Sequence, residues 1–253
     1  MTTKTMALVP EQPANAAEFT IEHVAENALL LSWQQQISVT QHNKIIALQT
    51  LLNAQLAELI VESVASYHCL MIYYPFQLIS ADVLSKKIIS VATAQQIDDK
   101  SIAETQNRQA SIRIPVYYDI EQQWDLHDVA KQCKLTIDEV IKQHSSTTYR
   151  SYALGFTPGF CYLASLPKAL TMARKSSPRT KVPKGAVAIA EQQTAIYPNE
   201  SPGGWHIIGQ TPLAMYQCKH GEFIPKISVG QNVQFYAISK QEFLAMQRAW
   251  SHD

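Results

Sequence analysis

The chain has 253 residues, 46% of them hydrophobic and 17% charged, with 21 basic side chains against 21 acidic ones. That length holds two domains or one large β domain, and the apolar fraction is enough for a sizeable core. Zero net charge argues against a chain built as a whole to coat nucleic acid or an anionic membrane.

The totals conceal a division within the chain. Residues 1–154 contain no glycine and 4 of the 12 prolines, and they carry 11 basic and 16 acidic side chains. Residues 155–253 hold all 8 glycines, 10 basic and 5 acidic side chains. Helices tolerate Gly and Pro poorly and tight turns demand them, so a first domain richer in helix precedes a mostly β one. The first 18 residues read as a flexible tail, because no apolar segment precedes Ala14-Asn15-Ala16 to make it a signal-peptidase site. Phe19–Val24 and Ala28–Trp33 form a strand pair around Glu26-Asn27. Ile45, Leu48, Leu51, Leu52 and Leu56 recur at helical spacing. Leu59–Ala65 and His68–Tyr74 are two more strands, Ser80 caps a helix through Val91, and Ile112–Tyr118 is a further β run. The resulting β-α-β-β-α-β order predicts a ferredoxin-like α/β domain over 19–146. Within it, Asp125 caps a short helix to Cys133, and Thr136-x-x-Glu139 is a capping box opening a helix toward His144. From 147 to 253, short apolar runs broken by Gly and Pro predict a barrel or sandwich.

Four cysteines, Cys69, Cys133, Cys161 and Cys218, form no CxxC pair, which suits a reduced, cytoplasmic protein. No stretch reaches the ~20 apolar residues of a membrane helix. Phosphate-loop, dinucleotide, nucleophile-elbow and HExxH motifs are absent, and the histidines lack metal-ligand spacing, so no metal site is expected. The main positive signal is a run without acids. Between Glu139 and Glu191 stand Lys142, Arg150, Lys168, Arg174, Lys175, Arg179, Lys181 and Lys184, with no carboxylate among them. Such cations favour a carboxylate or phosphate ligand, or form a solvated loop, or dock the acidic first domain or another protein chain. The loops Gly155–Phe160 and Ser201–Trp205 turn sharply. Their amides suit an anion, and their aromatics equally suit plain β-turn packing. His144 ends a helix, where the helix dipole favours an imidazolium or the ring acts as a base. Arg179 stands in a proline-framed turn fit for bidentate recognition, Tyr197 either meets a ligand or fills a barrel end, and Cys161 is structural.

His144-Ser145-Ser146 through Tyr149-Arg150, together with GF-TPGF-CYL (155–163), PR-TKVPKGAVAIA (178–190), QT-AIYP (193–198) and SPGGW-HIIGQTP (201–212), resembles the family of 5-oxoprolinase B subunits. That family is also called the KipI or allophanate-hydrolase subunit 1 family. The resemblance implies an α+β chain, its N-terminal α/β domain followed by a cyclophilin-like β-barrel. It implies partners as well: the KipA-like C subunit and the A subunit of 5-oxoprolinase, with which the complex opens 5-oxo-L-proline to L-glutamate. ATP with Mg²⁺ is the implied cosubstrate. In that chemistry Arg179 and Lys181 would supply cations, Arg179 clamping a carboxylate or phosphate, and His144 or Tyr197 would move a proton. Pro158, Gly159, Phe160, Ser201, Gly203, Gly204 and Trp205 would line the substrate. Related branches imply two alternatives, a kinase-inhibiting binding protein and a carboxyltransferase component of a urea carboxylase or allophanate hydrolase system.

Overall fold

The computed structural model of the protein describes residues 18–94, 111–121 and 123–250. Of the expected tail, only its last residue falls among them. The first unit contains β1 (Thr20–Ala25), β2 (Ala28–Ser32), α1 (Val39–Gln55), β3 (Glu62–Ser66), β4 (Cys69–Tyr73) and α2 (Ala81–Ala94). Its sheet is antiparallel in the order β1-β2-β4-β3. Leu29, Leu31, Leu70 and Ile72 alternate along β2 and β4 and bury one face of the sheet. Ile45, Leu48 and Leu52 of α1, with Leu84, Ile88 and Val91 of α2, complete that core. Each such side chain contributes about 1.5–3 kcal/mol by burial. The Ser38 hydroxyl starts α1 by accepting a hydrogen bond from the Gln41 amide.

The chain then forms β5 (Ile112–Tyr118), α3 (Leu126–Cys133), α4 (Ile137–Ser146), β6 (Thr148–Leu154) and β7 (Cys161–Ala164). There follow β8 (Arg179–Val182), β9 (Ala186–Ala190), β10 (Gln193–Ile196), β11 (Ser201–Gly203) and β12 (His206–Gln210). The hairpin β13 (Tyr216–Lys219) and β14 (Glu222–Pro225), then β15 (Asn232–Ala237) and α5 (Lys240–Trp250), finish it. Seven strands close a barrel in the order β10-β7-β6-β15-β5-β12-β9.

The class is therefore mixed α+β with a β-barrel, but the ferredoxin-like order needs correction. Strand 112–118 does not close the first sheet. β1 takes that edge beside β2, while β5 lies in the barrel, parallel to β15 and antiparallel to β12. The physical reason is burial on both faces: Ile114, Val116 and Tyr118 face the barrel core, and the intervening Pro115 is buried too. A strand sandwiched in this way reads as a continuous apolar run rather than an alternating one. Leu126, Val129 and Ala130 of α3 and Val140 of α4 share the same core, so residues 112–146 pack with the barrel rather than with 19–94. The Thr136–Glu139 capping box forms as its sequence predicts.

β9 shows how the barrel presents a second surface. All five of its residues are buried; Val187 and Ile189 point to the barrel core, and Ala186, Ala188 and Ala190 point to an outer cluster. That cluster lies under the two-stranded ribbon β8–β11 and contains Phe160, Val182, Tyr197, Trp205 and Ile207.

The two cores meet through His42 and Arg150. Arg150 Nε donates to His42 Nδ1 at 3.0 Å, and its Nη2 donates to Asn43 Oδ1 at 2.6 Å. His42 Nε2 reaches the Tyr152 carbonyl at 3.1 Å. Since Nδ1 accepts from Arg150, the ring is the neutral Nε2–H tautomer. Tyr67, from the β3–β4 turn, stacks on Tyr152 with ring centroids 4.9 Å apart.

Candidate functional site

The β8–β11 ribbon is pinned by one carboxylate. Asp125 is 2% exposed, and its oxygens receive Arg179 Nη1 at 2.7 Å, Arg179 Nη2 at 2.8 Å, Lys175 Nζ at 2.9 Å and the Ile207 amide at 2.8 Å. Burial pushes the Asp125 carboxyl up, yet the hydrogen bonds from Arg179, Lys175 and Ile207 outweigh it and hold the group below its ordinary value. These bonds also explain why Asp125 precedes α3 without capping it through its side chain. The expectation that Arg179 clamps a ligand is thereby corrected: its fork is filled from within the chain by an acid lying upstream of the acid-free stretch. Lys181 stands on the surface, 77% exposed, in a 3.4 Å pair with Glu200.

His144 is corrected as well. It is fully buried in the barrel, its Nδ1 2.7 Å from the Tyr118 hydroxyl and its Nε2 3.0 Å from Thr194 Oγ1. Thr194 gives its own proton to the Ala188 carbonyl, so His144 is the Nε2–H tautomer and Tyr118 donates to Nδ1. Burial pushes the imidazole down to about 3, which removes both the imidazolium and the solvent-facing base. The Cys161 thiol, buried beside Ser151, is pushed up to about 12 by burial and is structural, in line with its sequence reading.

Tyr197, Phe160 and Trp205 come together in the outer cluster, with Phe160 edge-on to both partners. Burial in that cluster suppresses the acidity of the Tyr197 hydroxyl. Gly203 fits because a Cβ there would lie 2.3 Å from the Tyr197 hydroxyl oxygen, so its smallness admits a neighbour in the same chain. Tyr197 is accordingly core rather than proton carrier. Gly204 leaves ordinary room beside Pro178, and the Ser201 hydroxyl is buried with no partner. Pro158 and Gly159 line a separate, open hollow of about 520 Å³ with Phe156 and Phe223. Gly159 needs its positive φ of 84° there.

A different concavity lies beside the Asp125 cluster. Gln132, Ala173, Arg174, Lys175, Ser176, Ser177 and His206 line a groove of about 400 Å³. Lys175 is tied at its amide to the Gly204 carbonyl, 2.8 Å away, and Arg174 lies 5.9 Å over the Trp205 ring. His206 Nε2 meets the Ala173 carbonyl at 3.0 Å, while its Nδ1 is buried with no partner. Sequence reasoning marks Arg174 and Lys175 only as members of the basic run and misses His206, although it directly follows Trp205. Asp125 carries no signal beyond a helix start. Among the described residues no three His, Cys, Asp or Glu side chains gather as metal ligands.

A family model described as carboxyltransferase domain, subdomain C and D, matches residues 19–225. The chain is 30% identical to the 5-oxoprolinase B subunit of Bacillus subtilis over 90% of this chain and 96% of that protein. It is 34% identical to the 5-oxoprolinase B subunit of Haemophilus influenzae over 84% of this chain and 94% of that protein. The solved structure of TTHA0988 matches with a TM-score of 0.71 and 32% identity over 84% of this chain, which spans only 40% of that longer one. Urea carboxylase of Kluyveromyces lactis, at 15% identity and a TM-score of 0.69, shares the fold over 94% of this chain and 23% of its own.

Proposed function

We propose, from the premise that this chain belongs to the family of 5-oxoprolinase B subunits, that it is the B component of a complex that opens the lactam of 5-oxoproline to glutamate at the expense of ATP. The observation that carries this reading is kinship at 30% identity across 96% of a protein bearing that name. A lactam is a poor electrophile. ATP phosphorylates its amide oxygen, which makes the carbon open to water; the tetrahedral adduct then expels the protonated ring nitrogen, breaking the C–N bond, and hydrolysis of the acyl phosphate so formed releases glutamate and phosphate. Arg179 and His144 are committed to partners within the chain and Tyr197 is buried in the outer cluster, which supports an active site completed by other proteins of the complex. Those proteins are the A subunit and the KipA-like C subunit. Free cysteines throughout the described residues fit a cytoplasmic setting.

Carboxyl transfer is the second reading, favoured by the description of the matching family model. The deciding assay is ATP-dependent glutamate release from 5-oxoproline by this chain alone, with the C subunit, and with the A and C subunits together. Glutamate and phosphate appear only in the full mixture if the proposal is right. No turnover with all partners folded and bound would sink it and turn attention to biotin-dependent carboxylation of an amide.

A further inference from the structure

We infer that the groove between α3 and residues 173–177 is a binding site for a small anion that carries its own N–H or O–H donor next to the negative charge. A carboxylate beside a lactam N–H has this chemistry, and so does hydrogen phosphate. The inference deepens the proposed function and rests on it only for which anion fills the groove.

Three observations converge on the site. First, its lining holds Arg174 and Lys175 and no carboxylate. The one buried acid at its edge, Asp125, is shared by two cations, Lys175 and Arg179, so the cluster keeps a surplus positive charge. Second, Arg174 is held only loosely. Its 3.2 Å contact with Glu191 is 55% exposed on one side and 57% on the other, and such surface pairs contribute little. An incoming anion in a partly desolvated groove competes well for that guanidinium. Third, His206 is 6% exposed and has a buried Nδ1 that meets no donor. Leaving a buried polar atom unpaired is costly, and native structures usually satisfy it with water or ligand. With Nε2–H committed to the Ala173 carbonyl, Nδ1 offers a lone pair. A ligand donor fills it while Arg174 takes the charge, and Lys175, held on Asp125, adds its field without leaving that carboxylate.

Glu191 makes the inference testable in both directions, because it competes for Arg174 from outside the groove. Calorimetric titration of the full-length chain with inorganic phosphate, 5-oxoproline and N-methyl-5-oxoproline is the experiment. Saturable binding is expected for phosphate or 5-oxoproline, weakened at least tenfold by Arg174→Gln and tightened severalfold by Glu191→Gln. Both side chains are exposed, so both variants should melt within a few degrees of the parent. If 5-oxoproline is the ligand, its N-methyl analogue binds more weakly, and ring-¹⁵N spectra show His206 Nδ1 gaining a hydrogen bond. Phosphate binding alone assigns the groove to a phosphoryl group. No saturable binding of either anion, or binding that both variants leave unchanged, overturns the inference. Turnover in the assembled complex separates the two readings. Binding without turnover would sink the proposed activity alone, and turnover without binding would sink the groove alone.

Discussion

Asp125 and Arg179 form a buried unit, and the consequences of breaking it differ by partner. Asp125→Asn leaves two cations facing a neutral amide and should cost about 3–5 kcal/mol, as for other broken buried pairs. Arg179→Ala should cost less, about 1.5–3 kcal/mol, because Lys175 and the Ile207 amide still satisfy the carboxylate. Urea denaturation of both variants checks the order. An Arg179→Ala protein that keeps its parent stability yet loses more than tenfold in turnover would restore the ligand clamp. Close packing gives a second contrast. Gly203→Ala drives a Cβ to 2.3 Å from the Tyr197 hydroxyl oxygen, and the overpacking should cost about 1–3 kcal/mol. Tyr197→Phe deletes that oxygen, so the double variant should lose less than the two single losses added. Gly185 has no such relief: its φ is 80° and its Cβ would sit 2.4 Å from the Thr211 carbonyl oxygen, which is backbone. Gly185→Ala should therefore be the more damaging change, and equal losses would count against the backbone clash. At this scale the sequence is legible in residue type but not in role. The cations and glycines stand out in it as special. That Arg179 meets a carboxylate of its own chain depends on Asp125 arriving from 54 positions away, and that Gly203 must be small depends on the turn that folds Tyr197 back over it, neither of which local spacing reveals.

Elements are more legible than their partners. The strand pair at 19–33, the helices near 45 and 84, and the Thr136 capping box follow from local periodicity and cap chemistry, and the structure has them. The Leu59–Ala65 run shows where periodicity is coarse: residues 57–59 form a 3-10 turn, and β3 begins at Glu62. Strand 112–118 is visible in the sequence but its sheet is not, because a β run carries no record of which edge it joins. Its composition holds a clue, since Ile114-Pro115-Val116 is apolar without alternation, as a strand covered on both faces must be. The correct assignment predicts which fragments fold. A fragment of residues 147–253 lacks β5 and leaves β15 and β12 with open edges inside what should be a closed barrel. It also loses the buried faces of α3 and α4. A fragment of 111–253 keeps all seven barrel strands. The longer fragment should give a dispersed amide spectrum and a cooperative melt, and the shorter one should aggregate or remain unfolded. Cooperative folding of 147–253 would show that β5 is dispensable.

Two of the described histidines, His42 and His144, are wholly buried and neutral, and together they shape the whole molecule's response to acid. Burial, helped by the Arg150 charge, pushes His42 down to about 4, and burial alone pushes His144 down to about 3. An unfolded chain takes up a proton at each ring near pH 6.5, whereas the folded one refuses it until far lower. The unfolded state thus binds more protons throughout that window, so stability rises with pH there and falls on acidification. Above pH 6.5 both rings are neutral in either state and the penalty vanishes. At pH 5 linkage puts the cost at about 2 kcal/mol for each ring. For a chain of this size the pair should lower Tm by roughly 10 °C between pH 7 and pH 5. Asp125 does not confuse the measurement, because its depressed carboxyl titrates below this range. The two rings also differ in place: His144 sits inside the barrel, while His42 sits at the junction of the two cores, facing Arg150. A charge on His42 would confront the guanidinium, so acid should loosen the junction before the barrel itself yields. Thermal melts at pH 7 and pH 5 test this, with hydrogen exchange locating the first region to open. His144→Gln, whatever its cost at pH 7, should remove about half of the pH dependence. Faster exchange at pH 5 should first show in the amides of α1 around His42. A parent protein that melts within 2 °C at the two pH values would mean that both rings already find a way to titrate in the folded state.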